Sequence, residues 1–230
     1  RVNIMQRRFR PVFIILCFIA AALFITKAAP ARDRCARETS GETAREGPRV
    51  ALTFDDGPSD YTIDLLDGLR ERGVKASFFL QGQCIEGREE IIRQMQDDGH
   101  LIGNHTFHHV QLTKLTDEQA KQEVISTSNA IFKITGIYTS YLRPPFGEWK
   151  KGLDYNVTMI PVLWTIDSRD WYTQNTPIIV NDVMKQVEDG DIILMHDCYK
   201  TSVESALQIV DRLKQEGFEQ SQTVASFLLS

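Results

Sequence analysis

Cysteine is scarce, with four in 230 residues at Cys17, Cys35, Cys84 and Cys198, and no two lie at the close spacing of a thiolate metal site. A disulfide-stapled miniprotein and a zinc ribbon are thereby excluded. Positive charge is not in excess either: 26 Lys and Arg face 31 Asp and Glu, for a formal net charge of -5. The basic residues are spread along the chain except at its N-terminal end, so no nucleic-acid surface is expected. Internal repeats are absent, which removes solenoids and propellers. Long apolar runs are equally rare, the one example being Val12 to Ile25. Histidine numbers only five, yet four of them, His100, His105, His108 and His109, fall within ten residues. Such clustering points to a site.

Residues 1–31 read as a secretory signal or a membrane anchor. Arg1, Arg7, Arg8 and Arg10 precede the apolar run, which keeps the basic end cytoplasmic and sends the remainder across. The run is near the upper length of a signal's apolar core and short of the roughly 20 residues of a full span. Ala29 Pro30 Ala31 offers a cleavage match with a proline inside it, so cleavage and retention both stay open. Residues 32–48 are polar, without apolar periodicity, and form a linker. Residues 49–230 then make one globular domain, expected outside the cytoplasm, either secreted or anchored facing outward.

Within that domain short apolar runs alternate with amphipathic stretches. Val50 to Phe54, Ala76 to Leu80, Met159 to Trp164 and Ile192 to Met195 read as buried strands, being short and continuous. A helix is predicted from Thr116, with Gln119 completing a capping box, to Gly136. Another begins near Ser202 and ends at Gly217. Strand alternating with helix implies an α/β fold with a parallel sheet. In such folds sites collect at the C-terminal ends of strands. Asp55 and Asp56 follow the first run, Asp167 to Trp171 follow the third, and His196 and Asp197 end the fourth.

Asp55 Asp56 Gly57 Pro58 is also the composition of an ordinary turn. Histidines four apart share one face of a helical turn, which suits a metal or a polar surface. Taken together, one carboxylate and two imidazoles can hold zinc with a position left for water, and the second carboxylate is then free to act as a base. That is the equipment of a metal-dependent hydrolase.

Five segments in order carry a resemblance. Thr53 to Pro58, His105 Thr106 Phe107 His108 His109, Arg143 Pro144 Pro145 Phe146 Gly147, Asp167 Ser168 Arg169 Asp170 Trp171 and Leu194 Met195 His196 Asp197 are similar to the motifs of the NodB-like polysaccharide deacetylases, carbohydrate esterase family four. The chain most resembles bacterial peptidoglycan N-acetylglucosamine deacetylases. The resemblance implies a distorted (β/α) barrel with fewer than eight regular units, and metal-dependent removal of acetyl groups from sugars. It assigns Asp56, His105 and His109 as metal ligands and Asp55 as general base. His196 becomes the acid for the departing amine, Asp167 the carboxylate that tunes it, and Arg143 the group that orients the base. The backbone N–H of Phe146 would stabilise the oxyanion; many relatives have Tyr there, and a main-chain donor tolerates the exchange. Trp171 and Leu194 match positions that line a pocket for the acetyl methyl, though core packing would explain them equally well. Arg143 read alone would be a surface ion pair. His108 lies off the ligand pattern, and His100 is expected to be structural.

The expected cofactor is one divalent ion, zinc first, with cobalt or nickel accepted by the same donors. The expected partner is a cell-wall polysaccharide, with membrane contact only through an uncleaved N-terminal segment and no protein partner predicted. Chitooligosaccharide or acetylxylan deacetylation is the alternative within enzymes, and a catalytically inert glycan-binding protein the alternative outside them. None of the base, ligand or acid positions is replaced, which favours the enzyme. Cys84 and Cys198 both follow expected strands, which leaves a disulfide between them open. The stretch from Glu219 to Ser230 is short for the final strand and helix of such a domain.

Overall fold

The computed structural model describes residues 47–153, 157–218 and 223–228. The apolar run at Val12 to Ile25, the linker up to residue 46, Cys17 and Cys35 lie outside the described residues. No helix among the described residues is long and apolar enough to cross a membrane.

Among the described residues, seven strands and seven α-helices follow in chain order: β1 (Ala51–Asp55), α1 (Thr62–Glu71), β2 (Ser77–Leu80), α2 (Glu89–Asp97), β3 (Leu101–Asn104), α3 (Asp117–Thr135), β4 (Tyr141–Leu142), β5 (Ile160–Pro161), β6 (Ile166–Asp167), α4 (Asp170–Thr173), α5 (Thr176–Met184), β7 (Ile192–His196), α6 (Lys200–Gln215) and α7 (Val224–Leu228). The strands form one all-parallel sheet in the order β5-β4-β3-β2-β1-β7-β6. This is the expected α/β architecture, a curled half-barrel of fewer than eight units.

Strand β1 shows why continuous apolar runs mark this sheet. Leu52 and Phe54 point outward into a core shared with Leu65, Leu66 and Leu69 of α1. Ala51 points inward, against Phe79, Val162 and Val224 of α7. Both faces are therefore dry, and every residue of β1 is buried. The curl is made plain by Arg143, which follows β4. Two strands separate β4 from β1, roughly 14 Å in a flat sheet at the usual spacing. Yet the Arg143 guanidinium donates to Thr53 Oγ1 of β1 at 2.7 Å and to the carbonyls of Val162 and Leu163, both at 3.2 Å. It crosses the barrel interior with the Phe79 ring 4.4 Å beneath it. It is fully buried, so the surface ion pair is not what forms.

Helix α3 has both halves of its capping box, Thr116 with Gln119, and stops on Gly136 at φ 71°, where a left-handed residue is required. The run from Met159 to Trp164 departs from its expected buried strand. Only Ile160 and Pro161 pair, Ile160 and Leu163 are about half exposed, and the strand lies at the sheet edge, where no further strand pairs with it. At the C-terminal end the described residues hold the short helix α7, whose Val224 N–H bonds to Ser77 Oγ at 2.9 Å.

Candidate metal and hydrolytic centre

Strand register gathers the site. Asp55 of β1 lies level with His196 of β7, and Leu80, Asn104 and Leu142 align across β2, β3 and β4. His105 and Arg143 are each one residue past that level. Asp55, His105 and His196 consequently meet at the C-terminal rim, around a cleft of about 390 Å³. Asp55, Asp56, His105, His109, Phe146, Asp167, Trp171, Leu194 and His196 line it, joined by Pro144, Trp164 and Tyr199, which sequence reasoning did not single out.

Asp56, His105 and His109 offer ligand atoms that all lie within 4.8 Å of one another. Asp56 Oδ1 is 3.6 Å from Nε2 of both histidines. The His105 Nδ1 contact to the Arg143 carbonyl, at 2.7 Å, must be an N–H donation, because a carbonyl only accepts. This leaves the Nε2 lone pair facing Asp56, the arrangement a metal-ligating imidazole requires. Burial pushes the Asp56 carboxyl up, but the two imidazoles, a hydrogen bond from Gln81 Nε2 at 2.6 Å and His196 outweigh it and hold it below the usual carboxylate range. Burial, helped by His105, pushes His109 down and favours the neutral, ligating form. The donor set thus fits a divalent ion. Gln81 carried no signal in the sequence, since its role depends on strand β2 ending beside Asp56.

The histidines do not share a helical turn as their spacing suggests. They occupy a loop in which Thr106 and His109 have φ of 65° and 53°. Glu123 of α3 holds that loop, accepting from the N–H of Phe107 and His108 at 3.1 and 2.8 Å. His108 Nδ1 meets Glu123 Oε1 at 2.8 Å, which turns this exposed ring aside from the ligand cluster.

Asp55 is buried and accepts from Arg143 Nη1 at 2.9 Å. Across the cleft stands His196, and here the structure corrects one expectation. The carboxylate on His196 is Asp170, not Asp167. Asp170 Oδ1 lies 2.7 Å from His196 Nδ1, while Oδ2 accepts from the His196 backbone N–H at 2.8 Å. Asp167 Oδ1 instead accepts from the Arg169 N–H and closes the turn. The sequence places both acids in one motif, and only the turn between them decides which reaches β7. Burial alone would lower His196; the hydrogen bond and charge of Asp170, with Asp55 and Asp56 nearby, reverse this and raise it to about 9.

Phe146 sits at φ 61° in the turn after Arg143, with its ring edge-on to His109 at 5.0 Å. Leu194 is buried and Trp171 half exposed, both in the cleft wall. Cys84 and Cys198 are both free thiols, so the open disulfide does not form; burial pushes Cys198 up to about 12. His100 accepts the Ala76 N–H on Nδ1 at 3.1 Å, in keeping with a structural place away from this cleft.

A half-barrel of parallel strands with a two-histidine, one-carboxylate cluster at its rim, flanked by the Asp55 carboxylate and the His196 imidazole, has the layout of a hydrolase-type centre. The family model for polysaccharide deacetylase matches residues 42–160, and the chain belongs to that family. It is 34% identical over 177 residues to the peptidoglycan-N-acetylglucosamine deacetylase PgdA of Listeria monocytogenes, spanning 76% of this chain and 38% of that one. It is also 34% identical over 155 residues to the chitooligosaccharide deacetylase of Bradyrhizobium sp., covering 65% and 71% of the two chains. The solved structure of peptidoglycan deacetylase PdaC from Bacillus subtilis superposes with a TM-score of 0.77 at 35% identity, over 80% of this chain and 91% of that one. The chain therefore spans little more than a third of the length of the Listeria relative.

Proposed function

We propose that this protein is a metal-dependent hydrolase that removes N-acetyl groups from amino-sugar polymers, with N-acetylglucosamine of peptidoglycan as its substrate. The observation that carries the reading is the pairing of roles around one point. A carboxylate outside the ligand cluster, Asp55, and a histidine whose pKa is raised, His196, flank a cluster of Asp56, His105 and His109 fit for a divalent ion. Relatives named for peptidoglycan substrates support the choice of polymer.

Asp56, His105 and His109 would hold the ion, zinc in our reading. When bound, such an ion lowers the pKa of an attacking water and polarises the acetyl carbonyl. Asp55 takes the proton of that water, its carboxylate aimed by the hydrogen bond from Arg143 Nη1. The Phe146 main-chain N–H, presented by its left-handed turn, donates to the developing oxyanion. Leu194 and Trp171 enclose the acetyl methyl, which excludes larger acyl groups. His196, kept as imidazolium by Asp170, passes its proton to the departing amine. Proton removal and proton delivery are thus assigned to opposite walls of the cleft. With residues 1–31 as signal or anchor, the domain works outside the cytoplasm, either secreted or anchored facing outward.

The test is acetate release by the purified protein from a chitin oligomer, from peptidoglycan and from acetylxylan, before and after chelation and readdition of zinc or cobalt. Metal-restored release from the amino-sugar substrates is expected. Release from acetylxylan alone would make it an esterase, and none from a folded, metal-loaded protein would favour glycan binding without catalysis.

A further inference from the structure

The segment that follows β2 runs between the two parts of the chain that supply the ligand cluster. The backbone N–H of Gln81 donates to the carbonyl of Gly57, next to Asp56, at 3.0 Å. Those of Gly82 and Gln83 donate to the carbonyls of Thr106 and Phe107, at 3.0 Å each, in the loop that carries His105 and His109. Residues 81–83 are therefore a strut between the Asp56 turn and the histidine loop. The strut is main chain, so it does not depend on which side chain stands at position 81.

The Gln81 side chain makes a second connection. It is buried, and its amide lies between Asp56 and Gln83. An ionised carboxylate only accepts, so the amide presents its donor end there, with Nε2 at 2.6 Å from Asp56 Oδ1. The acceptor end, Oε1, takes the Gln83 Nε2 donor at 2.8 Å, with the Cys84 thiol 3.9 Å away. A flip of the amide would break contacts at both ends.

The oxygen that Gln81 holds is the one that faces the imidazoles. Oδ1 of Asp56 is 3.6 Å from Nε2 of both His105 and His109, whereas Oδ2 lies 3.9 Å from Nε2 of His196. The Asp56 side chain is about a quarter exposed, so packing alone does not fix its rotation; a hydrogen bond to one oxygen does. An amide suits that task because it donates without charge. Lysine or arginine at this position would set a positive charge against the ion, and an apolar side chain would leave the carboxylate free to turn.

We propose that Gln81 is a positioning residue for the metal site: it fixes the rotation of the Asp56 carboxylate so that Oδ1 faces the ion held with His105 and His109, and Gln83 locks Gln81 in that orientation. The proposal rests on the reading of those three residues as ligands. It adds that a neutral amide outside the five motifs sets how tightly this chain holds its ion.

The experiment measures zinc affinity by chelator competition, and the visible absorption of the cobalt-loaded protein, on the full chain and on Gln81→Met, Gln83→Ala and Asp56→Asn. Gln81→Met keeps the side-chain length and removes the donor. It should weaken zinc binding about 10–100-fold, the usual cost of losing the partner of a metal ligand, and shift the cobalt bands at saturation. Gln83→Ala, at an exposed position, should weaken binding severalfold with the metal-free melting temperature unchanged. A merely structural Gln81 would instead lower the melting temperature of Gln81→Met and leave the cobalt bands and the Gln83→Ala affinity at parental values. That result, or unchanged zinc affinity in Gln81→Met, would overturn the proposal. The ligand reading fails by a different sign: Asp56→Asn would bind zinc as tightly as the parent, and the proposal would fall with it.

Discussion

His196 and Asp55 are separated in chemistry by the company each keeps. Asp170 reaches both the ring and the backbone of His196 and lifts the imidazole to about 9, so its acid form dominates at neutral pH. A general acid works only while protonated, and turnover falls as pH rises through its pKa. A raised value therefore places that fall at high pH. Asp170→Asn removes the charge and should move the alkaline limb of kcat downward by at least about one pH unit, with a pH–rate profile as the check. Asp167→Asn should leave the limb in place. The residues gathered at the site were legible because Asp, His and Arg are spaced through five ordered motifs, which chance rarely assembles. The partner of His196 was not, because Asp167 and Asp170 differ only in where a turn with Arg169 at φ 54° points them.

Among the elements, the turn after β1 does the most positioning. Asp56 stands at φ 72°, and the following Gly57 packs so closely on Asp197 that an added Cβ would lie 2.3 Å from its carboxylate. Asp197 is fully buried and accepts from Thr62 Oγ1 at 2.6 Å, while Ser59 Oγ donates to its carbonyl at 2.6 Å. The end of β7 is thus fastened to the turn that carries Asp55 and Asp56. Gly57→Ala should cost roughly 1–3 kcal/mol by overpacking. It should also weaken metal binding, measured by thermal melting and metal titration, with the His105 and His109 loop unchanged. Long elements were readable from their own residues: the capping box of α3 and its terminal Gly136 act locally. The two-residue strands β4 and β6 were not, since they exist only through neighbours in the sheet, and β5 was read as a longer buried run than the pair Ile160–Pro161 that forms. The histidine loop departs from the helical turn its spacing suggests for the same reason, being held by Glu123 from a separate helix.

At the scale of the whole domain, Arg143 joins fold and site. One buried guanidinium ties β1 to the segment after β5 and presents Nη1 to Asp55. Lysine has three donors on a flexible stem and cannot reproduce that fork. Arg143→Lys should destabilise the domain by about 3 kcal/mol in denaturant unfolding and lower kcat at least about tenfold. The α/β class was readable because both-face burial makes β1, β2 and β7 continuously apolar. Periodicity did not give the curl, which the family resemblance alone implied, since it depends on contacts such as that of Arg143 with Thr53, residues 90 positions apart. The central claim is that Asp55 and Asp56, adjacent in sequence, divide base from ligand. It is tested most directly by metal content and acetate release measured side by side on Asp55→Asn and Asp56→Asn. The account predicts that Asp55→Asn retains its metal and loses turnover by a factor of about 10²–10⁴ or more, while Asp56→Asn loses both. An Asp55→Asn protein that turns over normally, or that sheds its metal as readily as Asp56→Asn, would contradict it.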